Sequence, residues 1–197
     1  MSREKILEQV RRNQPEIMPL PELSFEHEET SLKESFIEIL KRIGGKVFEI
    51  NSLDKVKAHL AEVFPQNARR ITTISGLADT ADFTDWKKQD KHDLQDVEAA
   101  VIKAHFGVAE NGAVWVTDEL LVQQVVPFIT QHLLVILNEE SIVPAMHQAY
   151  QRIGNLDYNY GAFIAGPSKT ADIEQSLVLG AHGPRTMTVF LMGKGSC

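Results

Sequence analysis

Residues 133–137, Leu-Leu-Val-Ile-Leu, constrain the fold more than any other stretch of this chain. Five apolar residues in succession cannot alternate between core and water, so they read as a strand buried on both faces. Other short extended runs recur at 47–50, 70–74, 101–106, 113–116, 160–165 and in the segment closing at Met192. Residues 96–103 also fit a helix. Strands alternating with helical stretches at these lengths predict an α/β domain, a Rossmann-like, largely parallel sheet flanked by helices.

The helical stretches carry their own punctuation. Thr30 or Ser31 can cap a helix in which Leu32, Phe36, Ile39, Leu40 and Ile43 recur at helical spacing until Gly44-Gly45 ends it. Ser52 or Asp54 opens another that runs to about Phe64. Leu53, Val56, Leu60 and Val63 form its inward face, and Pro65 stops it. A short helix is expected over 120–128 and a longer one over 141–153, closed by Gly154. Residues 80–93 hold three Lys, four Asp and His92. They read as a loop with a weak helical turn anchored by Phe83 and Trp86, either a solvated face or an active-site lid.

Upstream, residues 2–13 form a helix with an apolar stripe of Ile6, Leu7 and Val10. Pro15, Pro19 and Pro21 then break the chain. The expected division is an N-terminal helix and Pro-rich linker over 1–29 and one α/β domain over 30–197. The first helix either docks on its own domain or stands out as an arm for a partner.

Composition narrows the function classes. The net charge of −7 argues against a broad nucleic-acid surface, which needs clustered Lys and Arg. No apolar run approaches the roughly 20 residues that span a bilayer. The N-terminus lacks the apolar core of a signal peptide, so a cytoplasmic location is the expectation. The single cysteine, Cys197, cannot form an intrachain disulfide or a multi-thiolate metal site. The histidines show neither HxxxH nor HExxH spacing, so no metal site is proposed.

Two stretches suggest chemistry. Residues 160–192 read as strand, loop, helix, loop, strand. Thr170 or Asp172 would cap the helix and Glu174 would lie one turn inside it. Such a loop presents free backbone N–H groups beside Ser168, Lys169 and Thr170, an environment that favours anions. The segment GVAENGAVWV places a turn at 107–112 between two strands. In open α/β sheets ligands collect at strand carboxyl ends, so these loops are expected to converge on one pocket. There Lys169 supplies charge, and Asp172 or Glu174 a cap or a base. His182, before Gly183, either contacts an anion, relays a proton or bonds to backbone. The plainer alternative is a well-capped connection with no ligand.

The block GPSKTADIEQSLVLGAHGP resembles the C-terminal signature of the lactate-utilisation (LUD) family, in its protein C branch. GVAENG matches that family's Gly-(Ile/Val)-Ala-Glu-Thr-Gly segment, with Asn111 in place of Thr, and the resemblance extends from about Leu32 onward. It implies a fold like the NagB/RpiA/CoA-transferase group. It also implies a part in oxidising L-lactate to pyruvate alongside iron–sulfur partner subunits. The candidate ligand-binding residues are Gly107, Asn111, Gly112, Gly166, Ser168, Lys169, Thr170, Asp172, Glu174, His182 and Gly183. With one cysteine the chain cannot itself hold a cluster, and no cofactor is bound through cysteine. Glu110-Asn111-Gly112 further resembles the segment in which some CoA transferases hold a nucleophilic glutamate. Glu110 is thus the candidate catalytic residue of an alternative, a stand-alone CoA-transferase-like or sugar-phosphate-isomerase-like enzyme. A scaffold whose N-terminal helix recruits a partner is the third reading.

Overall fold

The structure is a computed structural model and describes residues 2–16, 18–19, 31–81, 85–154, 156–171 and 177–193. Helix α1 (Arg3–Arg12) starts at Ser2, whose hydroxyl accepts from the Lys5 N–H. Every residue of α1 is exposed, so its apolar stripe is not docked on the domain. Helix α2 (Leu32–Arg42) is capped by Ser31, which accepts from the Glu34 N–H, and buries Phe36 and Leu40. Strand β1 (Lys46–Ile50) leads into helix α3 (Leu53–Val63), which buries Val56 and Leu60. Val63, expected inward, is 53% exposed as the last residue of the helix.

Strand β2 (Arg70–Thr72) is shorter than expected, since the Ile74 N–H donates to Thr72 Oγ1 and turns out of the ladder. The polar stretch that follows winds through 3₁₀ turns at Ser75–Thr80, Asp85–Lys88 and Lys91–Leu94. Leu77, Trp86 and Leu94 are buried, and the Gln123 amide donates to the Trp86 and Gln89 carbonyls. This segment is therefore pinned to the domain; Phe83 lies outside the described residues.

Strand β3 (Ala99–Lys103) makes residues 99–103 of the ambiguous stretch extended rather than helical, with Asp96 in a turn, and the ladder is interrupted at Ala104 and His105 before β4 (Phe106–Val108). Strand β5 (Ala113–Thr117) precedes two one-turn helices, α4 (Asp118–Leu121) and α5 (Val126–Ile129), in place of one helix over 120–128. Val122, at φ 63°, separates them. Strand β6 (His132–Asn138) contains the apolar run, and helix α6 (Met146–Ile153) begins only after Pro144. Proline disfavours helical backbone in the residue before it, which delays the start from 141. Strands β7 (Gly161–Ile164), β8 (Lys169–Ala171), β9 (Leu177–Leu179) and β10 (Thr186–Met192) complete the described chain.

Five strands form one parallel sheet in the order β1-β10-β6-β3-β2. Side chains alternate across it, as the two-residue period of a strand requires. Ala99, Val101, Leu134, Ile136 and Phe190 meet Val56 and Leu60 of α3 on one face. Leu133, Val135, Leu137, Val189 and Leu191 meet Phe36 and Leu40 of α2 on the other. A smaller antiparallel sheet, β4-β5-β7, joins that second core through Val114, Val116 and Ile164. Its outer face packs Phe106 and Trp115 against Ala149 and Ile153 of α6. The expected parallel α/β domain is what forms.

One expected element does not. Strands β8 and β9 pair antiparallel, Lys169 with Leu179 and Ala171 with Leu177, where a helix was expected between the last two strands. The Ser168 N–H donates to the Pro184 carbonyl at 2.8 Å and the Ser168 carbonyl accepts from Gly180 at 3.1 Å, which anchors the base of the hairpin.

Candidate functional site at the carboxyl end of the parallel sheet

The two motif segments come together, but on a helix rather than around a cavity. A Cβ on Gly107 would lie 2.8 Å from Leu137 and 3.0 Å from the Phe36 ring, and one on Gly112 3.1 Å from the Leu40 backbone. Gly166, at φ 71°, abuts Ile43, while the Lys169 ammonium lies beside Gly44. Positions 36, 40 and 43 share one helical face, so both segments pack along the same side of α2. Lys169 thereby sits at the helix's negative end, a structural use for its charge.

At the expected anion site over 166–172, residues 169–171 pair with 177–179 as strands of the β8–β9 hairpin and the Ser168 N–H is bonded to the Pro184 carbonyl, while residues 172–176 lie outside the described residues. Thr170 pairs with Val178 in that hairpin, and Asp172 and Glu174 lie outside the described residues. His182 is exposed, and Gly183 faces Ser168, whose Cβ would be 3.2 Å from a methyl there.

Glu110 is also accounted for locally. Its Oε2 accepts from the Met146 N–H at 2.8 Å, and its own N–H donates to the Pro144 carbonyl. Met146 is the first residue of α6, whose preceding residue Ala145 makes no side-chain cap bond. Glu110 thus caps α6 from another part of the chain. Asn111 Oδ1 accepts from the Ala113 N–H at 3.0 Å and shapes the β4–β5 turn.

A cleft of about 590 Å³ opens where β1, β3, β6 and β10 end. It is lined by Asn51, Ser52, Leu53, Asp54, Lys103, Ala104, Ile136, Asn138 and Met192. Parallel pairing brings these positions together, since Ile50 is in register with Met192, and Met192 with Asn138. Ser52, at the N-cap of α3, makes no side-chain cap bond, so the first-turn N–H groups lack that acceptor. Lys103 supplies a cation, Asp54 a carboxylate, and Ile136, Leu53 and Met192 an apolar wall. None of these residues was singled out for chemistry from sequence. Their signal was the polar residue that closes or follows an apolar strand: Asn51 after β1, Lys103 in β3 and Asn138 in β6.

A second cleft of about 500 Å³ lies around His105, Trp115, Glu119 and Arg152. The His105 Nε2 is 2.7 Å from Thr117 Oγ1. Burial holds the pKa of His105 below its ordinary value; Glu119 works against that shift and Arg152 with it.

A five-stranded parallel sheet flanked by helices, with a polar cleft at its carboxyl ends, defines an α/β protein of the open-sheet class. The crystal structure of a DUF162 family protein from Deinococcus radiodurans shares this fold. Its TM-score is 0.60, with 82% of this chain and 96% of that chain covered at 15% identity. The chain belongs to the LUD domain family, whose model matches residues 33–192. Lactate utilization protein C of Exiguobacterium sp. is 28% identical over 185 residues, which cover 83% of this chain and 79% of that protein. Lactate utilization protein C 1 of Bacillus mycoides is 32% identical over 128 residues, 60% of this chain and 55% of that protein. Lactate utilization protein C of Geobacillus sp. (strain WCH70) is 35% identical over 91 residues, 43% and 38% of the two chains. The family resemblance carried by GVAENG and GPSKTADIEQSLVLGAHGP is borne out. Among the described residues no helix is long and apolar enough to cross a membrane.

Proposed function

We propose that this chain is the cluster-free member of an L-lactate utilisation system and binds a small hydroxy- or keto-carboxylate at the carboxyl end of its parallel sheet. The relatives named lactate utilization protein C support the pathway. The cleft supports the ligand class: Lys103 and the first turn of α3 suit a carboxylate, Asp54 a hydroxyl proton, and Ile136 with Met192 a methyl group. Oxidising lactate to pyruvate releases two electrons and two protons. With Cys197 as its one thiol, this chain has no ligand set for a cluster, and the electrons pass to iron–sulfur partner subunits.

The observation that carries the reading is the juxtaposition of Lys103 with the side-chain-uncapped start of α3 in that cleft. A ligand that binds only the folded state at a hundred times its Kd adds about 2.7 kcal/mol of stability. Lactate or pyruvate should therefore raise the melting temperature of the wild type, and Lys103→Ala should abolish most of that shift. No shift with either acid, or an undiminished shift in the variant, sinks the assignment.

An independent transferase or isomerase acting through Glu110 has less support, because that carboxylate caps α6. Glu110→Ala should cost about 0.5–2 kcal/mol in denaturant titrations, the usual cost of a lost cap, and leave lactate binding in place. Turnover of an acyl-CoA or sugar phosphate that disappears in Glu110→Gln would reverse this ranking.

A further inference from the structure

Two features of the molecule have no use in the proposed function, and they are complementary. The first is α1, with sequence Arg-Glu-Lys-Ile-Leu-Glu-Gln-Val-Arg-Arg: four basic residues against two acidic ones. Ile6, Leu7 and Val10 are 49%, 41% and 54% exposed, so the stripe stands in water. Arg3 and Arg11 lie one turn to either side of Leu7 on the same face. The second feature is the cleft between the small sheet and the segment after α6. Trp115 forms part of its wall with Tyr158 set edge-on at 5.6 Å, and Leu156 at its rim is 64% exposed.

The charge of this cleft is negative. Among the described residues Asp118, Glu119 and Asp157 line it against one cation, Arg152. Arg152 is itself engaged, donating to the Ser141 carbonyl at 3.0 Å and lying over the Phe106 ring at 4.9 Å. Asp118 accepts from the Asn159 amide at 3.1 Å. Glu119 and Asp157 form no ion pair with a lysine or arginine among the described residues. An acidic, aromatic-walled cleft with apolar side chains at its rim suits a segment that presents guanidinium groups beside aliphatic side chains.

We propose that α1 of one copy of this chain docks in the Trp115–Tyr158 cleft of a second copy, its apolar stripe covering Leu156 and Tyr158 while Arg3 and Arg11 meet Glu119 and Asp157. Residues 14–30 join α1 to the domain and can span roughly 60 Å when extended. The helix can therefore reach a neighbouring molecule. Within a single chain α1 stands with every residue exposed, whereas reciprocal exchange covers both stripes and both clefts in a closed twofold dimer.

The test is mass in solution, by size-exclusion chromatography with light scattering on the full chain. Wild type should run at twice the chain mass. Deleting residues 2–13 should halve it, with the circular dichroism spectrum losing only the contribution of that helix, and Arg3→Glu with Arg11→Glu should halve it with an unchanged spectrum. Adding Glu119→Arg and Asp157→Arg to the doubly reversed helix should restore the dimer. In a Cys197→Ser background, a mixture of Leu7→Cys and Leu156→Cys chains should yield a disulfide between the two different chains. A monomeric wild type, a dimer that survives deletion of the helix, or a mixture of Leu7→Cys and Leu156→Cys chains that forms no disulfide between the two would each overturn the exchange.

Discussion

Gly112 shows how much one position carries. It sits at φ 68° in the turn after Glu110 and Asn111, and a methyl there would meet the Leu40 backbone at 3.1 Å. Left-handed backbone and close helix approach both select glycine. Gly112→Ala should therefore lose about 1–3 kcal/mol in urea titrations, the usual cost of such strain. The turn was legible in Asn-Gly, but the helix pressed against it was not, because Leu40 lies far away in sequence. Lys169 and Glu110 teach the same lesson. Each is a ligand-binding or catalytic candidate in sequence, and each lies against a distant part of the chain, Lys169 beside Gly44 after α2 and Glu110 bonded to the Met146 N–H.

Elements differ in how far their own residues specify them. Strand β6 was readable because a continuous apolar run suits only a position covered on both sides, and Leu133, Val135 and Leu137 have no exposed surface. Leu133→Ala should cost about 2–5 kcal/mol, whereas Val63→Ala, on the exposed end of α3, should fall within about 0.5 kcal/mol of wild type. Equal effects in parallel denaturation curves would contradict the layering described. The stretch after Gly166 departs from the helix its spacing predicts, because a few residues of helical spacing carry little energy. Antiparallel pairing of 169–171 with 177–179, anchored at Ser168 and Pro184, outweighs that preference. The Asp118–Ile129 region departs from its predicted form for a related reason. Apolar spacing predicted one helix, and Val122 at φ 63° divides it.

At the scale of the whole molecule, partial burial of three histidines ties stability to pH. Burial lowers the pKa of His59, His105 and His132 from the ordinary 6.5. His132 also bonds β6 to β10 through Thr186 Oγ1 at 2.7 Å. A lowered pKa means that the unfolded chain binds more protons between the folded and unfolded values, so stability rises with pH across that window. Melting temperature should accordingly be highest above pH 6.5 and fall as pH drops through the lowered values. His132→Gln should flatten the decline, and a midpoint that rises on acidification would count against these burials.

The parallel α/β class and the family followed from sequence alone. A doubly buried strand, helix caps and two motif blocks are local signals, each written in a few consecutive residues. The candidate site did not follow. Its residues come from 51–54, 103–104, 136–138 and 192, and they meet only because β1, β10, β6 and β3 lie side by side in parallel. Strand order is set by how the two cores pack on the sheet, an energy shared among distant residues, and no single stretch of chain records it.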